Sequence, residues 1–258
     1  MKSIRLEIYS DERRLISRAS GFIVIDGGNS YIYTCWHVVT GINFLDPRPK
    51  VPPERRRYLK AYHQGVSTPQ EGVTRIGGNA FVEVDLYPNG LERGWQQEPN
   101  TRPHPDLESI GITLPLLADL VRIPFDISEP TKSIISFTEA DLHTGQLQAG
   151  SDIVIVGYPY GYSTVDIDTP DPVFLKRSIA SNRRHPITML LDGIGAPAMS
   201  GAPIVVFDQN RWWLTGMYNA AIYPEAQYGE HLISEHTALG LMTNIWVARA
   251  FLGLITPK

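Results

Sequence analysis

The stretch Gly21-Phe22-Ile23-Val24-Ile25-Asp26-Gly27-Gly28-Asn29-Ser30-Tyr31-Ile32-Tyr33-Thr34 sets the fold class. Two runs of β-branched and aromatic residues flank Asp26-Gly27-Gly28-Asn29, a turn sequence, and together they read as a hairpin with a four- or five-residue connection that residues 38–41 close. Upstream, residues 4–9 alternate, with Ile4, Leu6 and Ile8 set against Arg5, Glu7 and Tyr9, the pattern of a strand with one buried face. Downstream, residues 81–87 alternate and stop at the turn signal Pro88-Asn89-Gly90, and residues 107–114 read as a further short strand. Residues 46–74, rich in Pro and Arg, read as an excursion between strands, and residues 116–138 as a loop-rich connection. Residues 152–156, 173–180, 188–191, 203–207 and 212–218 repeat the strand pattern in the second half. Ile245, Ala248, Phe251 and Leu252 then fall at helical spacing, which predicts an amphipathic C-terminal helix over about 243–254.

Composition agrees with an all-β chain. The 258 residues include 22 Gly and 20 Pro, which break many short apolar runs, as in a barrel or sandwich rather than a helical bundle. The expected architecture is two six-stranded antiparallel β-barrels, residues 1–120 and 121–258, the second carrying the C-terminal helix. A net charge of -4 gives no field for nucleic acid or a membrane surface. Arg55-Arg56-Arg57 reads as a solvated loop. No apolar run reaches membrane-spanning length. A single cysteine, Cys35, permits no internal disulfide, and the first ten residues show no secretory signal; both favour a reducing, cytoplasmic setting. The seven histidines are scattered, and His231 and His236 lack partners at metal-ligand spacing, so neither a metal nor an organic cofactor is expected.

Two local contexts carry chemistry. Tyr33-Thr34-Cys35-Trp36-His37-Val38-Val39 delivers a histidine at the end of a strand. Met199-Ser200-Gly201-Ala202-Pro203-Ile204-Val205-Val206 sets a serine on a tight turn, where backbone N–H groups can converge on an oxyanion, before a buried strand. A serine nucleophile needs a base for its proton, and the base needs a carboxylate to fix its tautomer. Cys35, two residues before His37 on the same strand, reads as a small buried thiol.

Together these stretches resemble the trypsin-like serine peptidases, in particular their intracellular bacterial branch. Gly21-Phe22, Thr34-Cys35-Trp36-His37-Val38-Val39-Thr40-Gly41, Ile155-Val156-Gly157-Tyr158-Pro159, Lys176-Arg177-Ser178-Ile179-Ala180-Ser181 and Met199-Ser200-Gly201-Ala202-Pro203 are similar to that branch's motifs and stand in the same order. Trp212-Trp213-Leu214-Thr215-Gly216-Met217 resembles the strand leading to the substrate edge. The resemblance implies a chymotrypsin-like pair of barrels and a catalytic triad of His37, Asp106 and Ser200, with Glu108 as the rival carboxylate in His104-Pro105-Asp106-Leu107-Glu108-Ser109-Ile110. It implies an oxyanion hole from the amides of Ala198 and Ser200, although Ala198 stands where the family usually has glycine. That departure leaves two states open, an enzyme active at rest or one latent until a partner orders the hole. The primary side-chain pocket falls on Ile194, with Asp192 as rival, and the substrate edge on Asn219, Ala220 and Ala221. The implied function is an endopeptidase acting on a protein or peptide, with an activating or target partner of the kind found in bacterial defence modules; the alternative is a peptide-binding module on the same fold.

Overall fold

The computed structural model describes residues 2–45, 56–67, 75–90, 92–102, 104, 107, 112–126, 135–161, 171–181, 187–222, 238–245 and 248–249. Its first strands are β1 (Ser3–Ser10), β2 (Leu15–Asp26) and β3 (Asn29–Thr34), followed by a short helix α1 (Trp36–Thr40). Next come β4 (Arg56–Ser67), β5 (Arg75–Asp85), β6 (Gln96–Gln97), β7 (Thr101–Arg102), β8 (Leu114–Pro115), β9 (Val121–Pro124) and β10 (Ser136–Phe137). The second half holds β11 (Asp152–Gly157), β12 (Val173–Ser181), β13 (Thr188–Leu191), β14 (Pro203–Asp208), β15 (Arg211–Ile222) and β16 (Leu239–Asn244).

The chain is all-β, with two units of different closure. The second half is a closed six-stranded barrel in the order β11-β12-β13-β16-β15-β14. The first half is an eight-stranded sheet in the order β5-β4-β1-β2-β3-β9-β6, with β10 parallel on β2. Its two ends do not pair with each other among the described residues, so the expected closure of a first barrel is not seen there. β9 and β10 pair with β3 and β2, which carries the first sheet past the expected boundary at residue 120.

The alternation of β1 does what the sequence asks: Ile4, Leu6 and Ile8 are fully buried and pack with Phe22, Ile32 and Leu59 in the first core. Ile153, Ile155, Ile179, Ile204 and Met242 form the second. The β2–β3 connection is tighter than expected. Gly27 and Gly28 alone link Asp26 to Asn29, with φ of 56° and 85°, the left-handed pair that a two-residue turn needs.

Three further expectations are corrected. The stretch read as an excursion contains β4, paired with β1 and β5. Its Leu59, Ala61 and His63 face inward, and the outward Tyr58 and Tyr62 stack under the guanidinium groups of Arg13 and Arg5. Of the expected strand over 107–114, Leu107 is helical, only the end at Leu114 pairs, and 108–111 lie outside the described residues. At the C-terminus β16 runs through Asn244, so any helix begins after the expected residue 243; Ile245, Ala248 and Arg249 have helical backbone, and the remaining positions lie outside the described residues.

A buried ionic cluster joins this chain end to the first sheet. Arg249, 1% exposed, contacts Asp26 and, at 3.2 Å, Glu139. Asp26 also accepts the Tyr33 hydroxyl at 2.7 Å and lies 3.5 Å from Arg122. Burial, with the Asp26 carboxylate beside it, pushes the Tyr33 hydroxyl pKa upward. Among the described residues no helix is long and apolar enough to cross a membrane.

Candidate active site

His37 is delivered by a helical turn rather than a strand end. β3 stops at Thr34, Cys35 precedes the first turn of α1, and Gly41, with φ of 79°, ends it. The turn aims the His37 ring at Asp119, just before β9. The Nδ1–Oδ2 distance is 2.7 Å, and Oδ1 accepts the His37 backbone N–H at 3.0 Å. A carboxylate only accepts, so Nδ1 donates its N–H to Asp119 and Nε2 is left outside this bond. The Asp119 side chain is 6% exposed and that of His37 25%, so one member is sheltered and the other reachable.

Asp119 therefore holds the place on His37 that the sequence reading assigned to Asp106. Asp106 and Glu108 lie outside the described residues. Asn219 supports the pair from the second barrel: its amide nitrogen donates to the Asp119 backbone carbonyl at 3.0 Å and approaches Oδ2 at 3.4 Å. Thr243 Oγ1 donates to Asn219 Oδ1 at 2.8 Å and so fixes which way the amide faces. Cys35, the thiol beside this pair, is fully buried, and burial, with Asp119 nearby, pushes its pKa well up. Cys35, His37 and Asp119 offer ligand atoms within 4.8 Å of one another. A raised thiol pKa and an Nδ1 already engaged with the carboxylate suit that trio poorly to a metal.

Ser200 sits on the loop from Gly195 to Ala202. Its hydroxyl donates to the Asn219 backbone carbonyl at 2.9 Å, and among the described residues it makes no hydrogen bond to His37. Both side chains line one cleft of about 440 Å³, together with Asp119, Ala198, Asn219 and Ala220.

Ala198 takes the backbone conformation that glycine favours, with φ of 70°. That costs an L-residue about 1–2 kcal/mol, so something must hold it. Two hydrogen bonds do. The Tyr160 N–H donates to the Pro197 carbonyl at 2.7 Å, and Ser20 Oγ donates to the Ala198 carbonyl at 3.0 Å. In a trans peptide the N–H points opposite to the C=O. Fastening the Pro197 carbonyl to Tyr160 therefore turns the Ala198 N–H the other way. Among the described residues neither the Ala198 nor the Ser200 N–H has a hydrogen-bond partner.

Ser20, on β2, is the tie that sequence reading missed. Its Oγ accepts the Tyr158 N–H at 3.0 Å as well as donating to Ala198, and its N–H donates to the Ser200 carbonyl at 3.0 Å. Its own carbonyl accepts from Thr34 Oγ1 at 3.0 Å. Gly201, with φ of 87°, passes so close that a Cβ there would lie 2.2 Å from the Ser20 oxygen. One first-half residue thus grips both sides of the serine loop.

The other expected site residues divide. Ala220 and Ala221 line the cleft beside Asn219. β15 pairs with β14 as far as Met217 opposite Pro203, so among the described residues β15 beyond Tyr218 is paired as a strand on its β16 side alone, and Asn219, Ala220 and Ala221 line the cleft. Ile194 does not line the cleft; its carbonyl accepts from the Arg177 guanidinium at 2.8 and 3.2 Å. Asp192 is exposed and accepts the Ser178 N–H at 2.9 Å.

No protein-family model and no curated protein matches the chain. Among solved structures it is similar to a thermostable serine protease from an extremophilic microorganism, at 12% sequence identity and a TM-score of 0.48, over 94% of this chain and 89% of that one.

Proposed function

We propose that the chain is a serine endopeptidase with His37, Asp119 and Ser200 as its catalytic residues. The observation that carries this reading is the 2.7 Å bond from His37 to Asp119, in a cleft shared with Ser200 and with Ala198, whose N–H groups have no partner among the described residues. A peptide lies along the open edge at Asn219, Ala220 and Ala221, as an added strand. The Ser200 hydroxyl leaves the Asn219 carbonyl and turns to His37 Nε2, which takes its proton as Oγ bonds to the substrate carbonyl carbon. The oxyanion that forms accepts from the Ala198 and Ser200 N–H groups. The C–N bond then breaks, the same proton goes to the leaving amine, and water releases the acyl group by the reverse sequence.

The held Ala198 peptide supports an enzyme competent at rest, without a partner to order its hole. The rival reading, a module that binds peptides without cutting them, draws on the resting bond between Ser200 and Asn219.

Labelling of the isolated protein with a fluorophosphonate separates the two. The expected result is stoichiometric modification mapped to Ser200, absent in Ser200→Ala and slowed about a thousandfold or more in His37→Ala. No labelling, or labelling indifferent to His37, contradicts the peptidase reading.

A further inference from the structure

A substrate that pairs with the Asn219–Ala221 edge and sets its carbonyl oxygen on the Ala198 and Ser200 amides has one place for the side chain of its acyl residue. That place lies between this edge and the segment leading to Ser200. The two walls are already bridged. Tyr218, one residue before Asn219 on β15, is 3% exposed, and its hydroxyl accepts the Gly195 N–H at 2.8 Å. Its ring lies against Gly195 so closely that a Cβ there would meet two ring carbons at 2.9 Å.

The wall cannot easily retreat from the ring. The Arg177 guanidinium grips the Ile194 carbonyl from outside, and a Cβ on Gly240 of β16 would lie 2.5 Å from the Gly193 carbonyl. Among the described residues the cleft is lined by Ala198, Ser200, Asn219 and Ala220, but by neither Tyr218 nor residues 193–197. The Tyr218 ring thus stands in the space between the two walls.

We propose that Tyr218 is a specificity-determining residue that fills this recess, so that the enzyme accepts peptides whose acyl residue is glycine or alanine and rejects those with aromatic, branched or long cationic side chains. This rests on the peptidase reading above. The ring is the element that excludes; its hydroxyl bond to Gly195 keeps the ring in place. A closed apolar recess discriminates by the bulk it cannot admit, at about tenfold or more for each added group.

The test uses aminoalkyl diphenyl phosphonates that carry an alanine-like, a phenylalanine-like or a lysine-like side chain, with a fluorophosphonate as the probe that needs no recess. In the wild-type protein the alanine-like probe is expected to modify Ser200 at least about tenfold faster than the other two. Tyr218→Val should bring the phenylalanine-like rate level with or above the alanine-like rate. Tyr218→Phe keeps the ring and should keep the wild-type ranking, and the wild-type ranking itself tests the exclusion if the valine variant fails to fold. Fluorophosphonate labelling together with an equal or faster phenylalanine-like or lysine-like rate in the wild type overturns the proposal and leaves the peptidase reading standing. Failure of the fluorophosphonate itself removes that reading, and the proposal with it.

Discussion

The two halves of the molecule hold their shares of the cleft differently. In the first half His37 and Asp119 are joined to each other twice, by side chain and backbone, and the second barrel adds a brace on Asp119 through Asn219. The second barrel is closed and needs no help for its own strands, yet its serine loop is held from outside. Ser20 reaches across to Ala198, Ser200 and Tyr158, and the turn at Gly201 passes so close to Ser20 that a side chain would not fit there. Geometry at the nucleophile thus depends on how the halves dock, while the base meets its carboxylate within the first half.

The largest effect should come from breaking the local pair. Asp119→Asn is expected to lower kcat/KM by on the order of 10⁴, because the amide favours the wrong imidazole tautomer. Asp106→Asn should change it by less than about threefold. Steady-state kinetics on a peptide ending its acyl side in alanine compares the two.

Next is the tie that fastens the chain end to the first sheet. Arg249→Ala leaves Asp26 with less of its compensation and should cost about 3–5 kcal/mol in urea unfolding. The His37–Asp119 geometry should survive, so labelling of Ser200 in the folded fraction should stay within about twofold.

Ser20→Ala tests the docking directly. It removes the hydroxyl that holds the Ala198 carbonyl, and kcat should fall by about 10- to 100-fold with little change in KM, since the hole acts on the transition state. A substitution that merely loosened the fold would lower the active fraction instead, leaving kcat per labelled site intact. Ser20→Thr keeps the hydroxyl and should recover much of the rate.

The smallest effect lies at the partly buried Lys2–Asp141 pair. Burial pushes the Asp141 carboxyl up, but the Lys2 ammonium at 2.9 Å and the Thr138 N–H at 2.8 Å outweigh it, and its pKa falls below the ordinary 3.8. The unfolded chain then binds the proton more readily. This contribution is full above pH 3.8 and is lost as pH falls through the lower folded value. Lys2→Ala should cost less than about 1 kcal/mol at pH 6, with the difference shrinking toward pH 3 in urea titrations.

The contrast between the halves also governed what the sequence could reveal. In the second half, strands such as Ile153-Val154-Ile155-Val156 are continuous β-branched runs between turn signals, and they stand where their pattern puts them. In the first half, β4 opens on Arg56 and Arg57, charges that read as solvent-facing, yet Arg56 donates to the Val38 carbonyl at 2.7 Å and lines the cleft. Asp119 was hidden in a similar way. Asp119-Leu120-Val121-Arg122-Ile123 is a carboxylate at the head of an apolar strand, but Arg122 interrupts the apolar run. That charge is met only in three dimensions, by Asp26 and by Gln96 at 2.5 Å. His37 and Ser200 were legible because each sits at a turn with its own local signature. Ser20 was not, since nothing near it in sequence tells of partners about 140 and 180 residues away.

The most direct measurement is a crystal structure of the Ser200–phosphonate adduct. The account predicts a phosphonyl oxygen within hydrogen-bond reach of both the Ala198 and Ser200 N–H groups, about 2.7–3.1 Å, with His37 still on Asp119 and its Nε2 facing the adduct. An adduct whose oxygen meets the Pro197 carbonyl instead, or a His37 ring too distant to touch it, would contradict the convergence on which the function rests.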